Sequence, residues 1–74
     1  MKKMWIQVKE GTDLKTLRSQ LSEFGRVEED AGTPNKLILA FHNQSESGLR
    51  MAGFRLSQDF IHLFDDFDFV KEDE

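Results

Sequence analysis

Few side chains in this sequence could carry catalytic chemistry. It has two histidines, His42 and His62, and neither cysteine nor tyrosine. His62 has Asp59 three residues before it and Asp66 four after. On a helix these three would share one side, as in a His/carboxylate metal site. The same spacing also describes a solvated helix face, and it is read that way here. Ser45, Ser47 and Ser57 fall at loop or cap positions, where bonding to backbone accounts for them. No nucleophile stands with a general base, and no glycine-rich loop is built to cradle phosphate. The expectation is a non-enzymatic protein with no cofactor and no metal.

Residues suited to binding are more prominent. Trp5, Ile38, Leu49 and Met51 are types enriched at interfaces. With strands where the alternation places them, all four point away from the helices and form an exposed apolar patch. Such a patch would serve a protein partner or a second copy, so the state is monomer or homodimer. A second feature is the run Phe64-Asp65-Asp66-Phe67-Asp68-Phe69. It follows the expected end of a helix, where each carboxylate costs about 0.3–1 kcal/mol against the negative dipole end. A local cost without a local gain is a mark of function. Asp65, Asp66 and Asp68 would then face a basic partner or mimic nucleic-acid charge; the alternative is that they only keep the protein soluble.

The 74 residues (8.6 kDa) form a single domain, 1–74, that buries only about 60% of the surface of its unfolded chain. Without cysteine there is no disulfide or thiolate metal staple. Apolar residues make up 38% and charged residues 32%, a globular rather than a disordered composition. The longest apolar run, Leu37 to Phe41, is too short to span a membrane. Met1-Lys2-Lys3-Met4-Trp5 is basic but no apolar stretch follows, so no signal peptide is expected. The cytoplasm of a microbe or its phage is the expected setting. The net charge is −4 and unevenly spread. Residues 57–74 hold seven acids against Lys71, whereas residues 1–27 hold six Lys/Arg against three acids.

Elements follow from periodicity. Met4, Ile6 and Val8 alternate with Trp5 and Gln7, as in a half-buried strand. Thr12 is placed to cap a helix, with Asp13 in its first turn. Leu14, Leu17, Leu21 and Phe24 make its buried stripe, and Gly25 its left-handed stop. Arg26 to Asp30 begins a second strand, and Lys36 to His42 forms a third after a turn holding the only proline. After Gly48 two readings compete. In the preferred one Leu49 to Leu56 is a strand, Ser57 caps a second helix bearing Phe60, Ile61, Phe64 and Phe67, and Phe67 to Glu72 is an edge strand. In the other, one helix runs from about Ser47 to Asp65, with Gly53 in its interior at a cost of about 1 kcal/mol.

This order points to an α+β fold, a ferredoxin-like two-layer sandwich with two helices on one face of a mainly antiparallel sheet. First and last strands would be antiparallel neighbours. Lys2 and Lys3 would then meet Glu72, Asp73 and Glu74, in cross-strand pairs of about 0.2–1 kcal/mol each.

Several segments carry a family resemblance. These are Trp5-Ile6-Gln7-Val8-Lys9-Glu10-Gly11-Thr12-Asp13 with the helix ending Phe24-Gly25, then Gly53-Phe54-Arg55-Leu56-Ser57, then Phe69-Val70-Lys71-Glu72-Asp73. In that order, over about 50 of the 74 residues, they resemble the inhibitor-I-nine family, the propeptides of subtilisin-like serine proteases and the free-standing inhibitors of proteinase B. The resemblance implies a ferredoxin-like fold whose open sheet face binds two helices of a subtilisin-like protease. It also implies that the residues after the last strand, here Lys71, Glu72, Asp73 and Glu74, lie in the protease cleft. Residues 31–44 read as a turn-and-strand insertion relative to that family.

Leu17 to Val27 is also similar to the first helix of an RNA-recognition motif, which would make Lys36 to Phe41 an RNA-contacting strand. Its open face offers Lys36, Ile38 and Ala40 rather than stacking aromatics, with Trp5 the single platform. Together with the net charge, this argues against nucleic acid. The reading is a protein-binding module, resembling a propeptide-like inhibitor; the alternative is a small acidic regulator that binds another protein.

Overall fold

Alternation in the first segment does produce a strand, β1 (Lys3–Val8), with Met4, Ile6 and Val8 buried and Trp5 and Gln7 half-buried. The computed structural model describes residues 2–70. A turn through Gly11, whose φ of 89° suits glycine, leads into α1 (Leu14–Leu21). Leu17, Leu21 and Phe24 are buried as expected, and Leu14 packs at the edge of the core.

The cap of α1 is Asp13, not Thr12. Its carboxylate accepts the backbone N–H groups of Lys15 and Thr16, at 3.1 and 3.3 Å, and the Thr16 hydroxyl at 2.8 Å. Two otherwise unpartnered helix donors are thereby satisfied. These bonds, the Thr16 hydroxyl first, hold the Asp13 carboxyl below its ordinary 3.8. A depressed folded value means the cap contributes stability above the ordinary carboxylate range and loses it as pH falls through the folded value. The Thr16 amide resonance should therefore titrate with a midpoint below 3.8, and Asp13→Asn should abolish that titration. A midpoint at or above the ordinary value would show that the cap is not formed in solution.

Gly25 is not a left-handed helix stop. The helix closes at Ser22, and Gly25 opens β2 (Gly25–Glu29), opposite Phe41 of the next strand. A Cβ there would run into the Ala40 carbonyl, so glycine permits the close approach of two backbones. After a turn in which Asn35 adopts φ 59°, β3 (Lys36–Phe41) buries Leu37, Leu39 and Phe41. The segment 31–44, read above as an insertion, thus supplies a strand with neighbours on both sides.

The strand expected over Leu49–Leu56 is instead part of α2 (Glu46–Asp59). Ser45 caps it, accepting the Gly48 N–H at 3.0 Å, and Ser57 lies inside it. Leu49, Ala52, Leu56 and Phe60 recur at steps of three and four and reach the core together. A strand with Leu49 and Met51 outward would turn Phe54 inward, yet Phe54 is 63% exposed. The longer-helix reading overshoots, because a 3-10 turn at Ile61–Leu63 follows α2 and leads into β4 (Phe64–Phe69). The closing strand so begins three residues before the expected Phe67. Its expected end, at Glu72, lies outside the described residues.

The sheet order is β2-β3-β1-β4, with every neighbouring pair antiparallel. Leu17, Leu21 and Phe24 from the α1 side and Leu56 from α2 join one cluster with Met4, Ile6, Val8, Leu37, Leu39, Phe41 and Phe64 of the sheet. Both helices therefore cover the same face. The result is a two-layer α+β sandwich with β-α-β-β-α-β element order, and β1 and β4 are antiparallel neighbours as expected.

Candidate functional site: the open sheet face

The face opposite the helices is built by the pleat of four strands. Register sets Glu28, Ile38, Trp5 and Asp68 in one row across β2, β3, β1 and β4. On one side of it lie Arg26, Ala40 and Lys3, and on the other Lys36, Gln7 and Asp66. Trp5 and Ile38 are direct cross-strand partners at the middle of the face, and both are half-buried. The Lys36 ammonium lies 5.0 Å from the centre of the Trp5 ring and 3.8 Å from the Asp30 carboxylate. Such a cation over an indole contributes about 0.5–1 kcal/mol at a surface site. Gln7 donates to the Pro34 carbonyl at 3.0 Å, tying the turn before β3 to the face. Towards the other end a cleft of about 350 Å³ is walled by Lys3, Arg26, Glu28, Ile38 and His42, with Arg26 and Glu28 paired at 3.2 Å.

Only half of the expected apolar patch lies here. Leu49 and Met51 belong to α2, in the other layer. Leu49 packs against the core and Met51 is 67% exposed beside Phe54 on the outer helix surface. Their helical spacing, not a strand's, decides where they point.

Asp65, Asp66 and Asp68 are exposed on β4, and α2 ends well before them at Asp59. The helix-dipole cost expected of them therefore does not arise. Asp66 and Asp68 border the open face, opposite Gln7 and Trp5. Each also accepts, through Oδ1, the backbone N–H of the next residue: Phe67 at 2.9 Å and Phe69 at 2.8 Å. Asp65 falls at the register shift between Gln7 and Val8. Lys71, Glu72, Asp73 and Glu74, and the pairing expected of the last three with Lys2 and Lys3, lie outside the described residues. His62, Asp59 and Asp66 occupy a 3-10 turn, a helix end and a strand rather than one helix side. Among the described residues no three metal-ligating side chains converge.

A second surface was not anticipated. Between α2 and β4 runs an apolar groove of about 230 Å³, lined by Gly53, Leu56, Ser57, Ile61, Phe67 and Phe69. The last two phenylalanines are 39% and 42% exposed. One signal was available: Gly53 and Ser57, four residues apart, leave a shallow strip along α2 with no large side chain to fill it.

Fold and site together define a small α+β sandwich with one sheet face that neither helix covers. The chain matches no family model, no curated protein and no solved structure. Among the described residues, no helix is long and apolar enough to cross a membrane.

Proposed function

We propose that the chain is a non-enzymatic protein-binding module whose contact surface is the open sheet face, and that its partner is a subtilisin-type serine protease, which it inhibits. The observation that carries this reading is the Trp5–Ile38 pair, central on a face that neither helix covers. An indole with an aliphatic neighbour is the kind of anchor around which interfaces concentrate their energy. Around it Lys3, Lys36 and Arg26 alternate with Glu28, Asp66 and Asp68, a mixed rim that suits protein more than a uniformly anionic nucleic acid. The family resemblance assigns the same face to protease helices.

Mixed with a subtilisin-type protease, the protein should slow hydrolysis of a peptide reporter. Trp5→Ala should weaken that inhibition by about 30-fold or more, the loss typical of an aromatic anchor. Deleting Lys71 to Glu74 should weaken it as well. Undiminished hydrolysis at saturating protein, with Trp5 emission unchanged on mixing, would refute the protease assignment.

A second reading, an acidic regulator of a basic protein, draws on the exposed carboxylates of β4. In that case changing Asp65, Asp66 and Asp68 together to Asn slows association with the partner and flattens its salt dependence.

A further inference from the structure

We propose that the outer edge of β4 takes up an extended segment of a partner protein in which apolar and basic residues alternate. This surface meets the Trp5 face along Asp66 and Asp68 but is built on the outer edge of β4 and does not rest on the protease reading.

Among the described residues, β4 ends the sheet on its side, and no strand pairs with its outer edge. The inner edge is occupied by β1: the Val70 N–H donates to the Lys3 carbonyl at 2.8 Å, Trp5 stands opposite Asp68 and Gln7 opposite Asp66. Ladder alternation then turns the N–H and C=O groups of Phe67 and Phe69 outward. Those two N–H groups are met by the side chains of Asp66 and Asp68, whose carboxylates are exposed and, among the described residues, bonded only within the strand.

Both sides of the edge select the same visitor. On the helix side lies the apolar groove between β4 and α2, with Ile61, Phe67 and Phe69 at its mouth. On the open side stand the carboxylates of Asp66 and Asp68. In a strand added in either direction, residues opposite Phe67 and Phe69 project to the groove side, and those opposite Asp66 and Asp68 project to the carboxylates. The complementary segment therefore carries apolar side chains at the first positions and Lys or Arg at the second. An arriving cation draws each carboxylate away from the N–H that it covers and frees that donor for the new ladder. Main-chain bonds supply affinity and the alternating side chains supply selectivity.

Charge also decides against a second copy, since pairing β4 with β4 would set Asp66 and Asp68 beside their equivalents. The other edge, β2, lacks these features. Val27 on its helix side is half-buried beside α1, where Arg18 reaches Glu29 at 3.6 Å, and on its open side Arg26 and Glu28 pair with each other.

The test is titration of the isotope-labelled protein with a capped six-residue peptide alternating Lys and Val, followed by amide resonances. Saturable shifts centred on Phe67 and Phe69 are expected, with the Trp5 indole resonance moving less than either. A peptide alternating Glu and Val should bind about tenfold more weakly. Asp66→Asn with Asp68→Asn, which keeps an oxygen to accept each N–H, should fold normally and erase that preference. Phe69→Pro, tolerable where the N–H points outward, should abolish binding. Equal binding of the two peptides, shifts centred on β2 or on Trp5, no saturable shift, or self-association through β4 in sedimentation would each overturn the proposal.

Discussion

Leu21→Ala should destabilise the domain by about 2–5 kcal/mol, read as a fall in the urea midpoint at unchanged slope. Leu21 is 0% exposed and lies in the cluster where α1 meets the inner strands. A chain of this length has about 4–11 kcal/mol in all, so one truncation could remove most of it. The loss should sit at the upper end of the range, because the site is walled by a sheet whose strands cannot move inward one at a time. A loss under about 1 kcal/mol would mean that α1 does not dock through Leu17 and Leu21.

Adding one methyl group should act in opposite directions at two glycines. Gly25→Ala is expected to cost about 3 kcal/mol, the upper part of the range for overpacking, because the atoms it meets belong to the Ala40 and Phe41 backbone. A flexible side chain would yield, but a strand in the middle of a ladder does not. Gly53→Ala meets nothing within 4 Å and removes a glycine from a helix interior. It should raise stability by about 1 kcal/mol. Thermal or urea unfolding of the two variants checks both signs, and a neutral Gly25→Ala would mean that β2 and β3 are further apart in solution.

The parts of the fold that were legible in the sequence share one property: a single period with no rival. Met4, Ile6 and Val8 admit only a strand, and Leu14, Leu17 and Leu21 only a helix, so β1, α1 and β3 were recoverable. From Leu49 to Leu56 both periods find apolar residues, because Met51 and Phe54 sit on the outer surface of α2 and imitate an alternating strand. Local pattern cannot settle such a segment; the long-range contacts of Leu49, Ala52 and Leu56 do. The boundary error at β4 has the same origin, since Phe60, Phe64 and Phe67 suit a helix until the 3-10 turn intervenes. Of the candidate site, Trp5 and Ile38 were identifiable because their strands were. Leu49 and Met51 went to the wrong layer with their element. The bonds from Asp66 and Asp68 to the following N–H groups were invisible, because which donors face outward depends on which neighbour β4 chooses.

The central place of β1 has a kinetic consequence. The first strand in the chain is flanked by β3, which begins halfway along the sequence, and by β4, near its far end. Neither pairing is local, so the entropy of closing large loops precedes the contacts that reward it. Collapse around α1 and the β2–β3 pair can come early, whereas insertion of β1 between β3 and β4 requires residues out to Phe69. During synthesis β1 would wait longest for its second neighbour, its edge towards β4 unpaired until Phe64–Phe69 has left the ribosome.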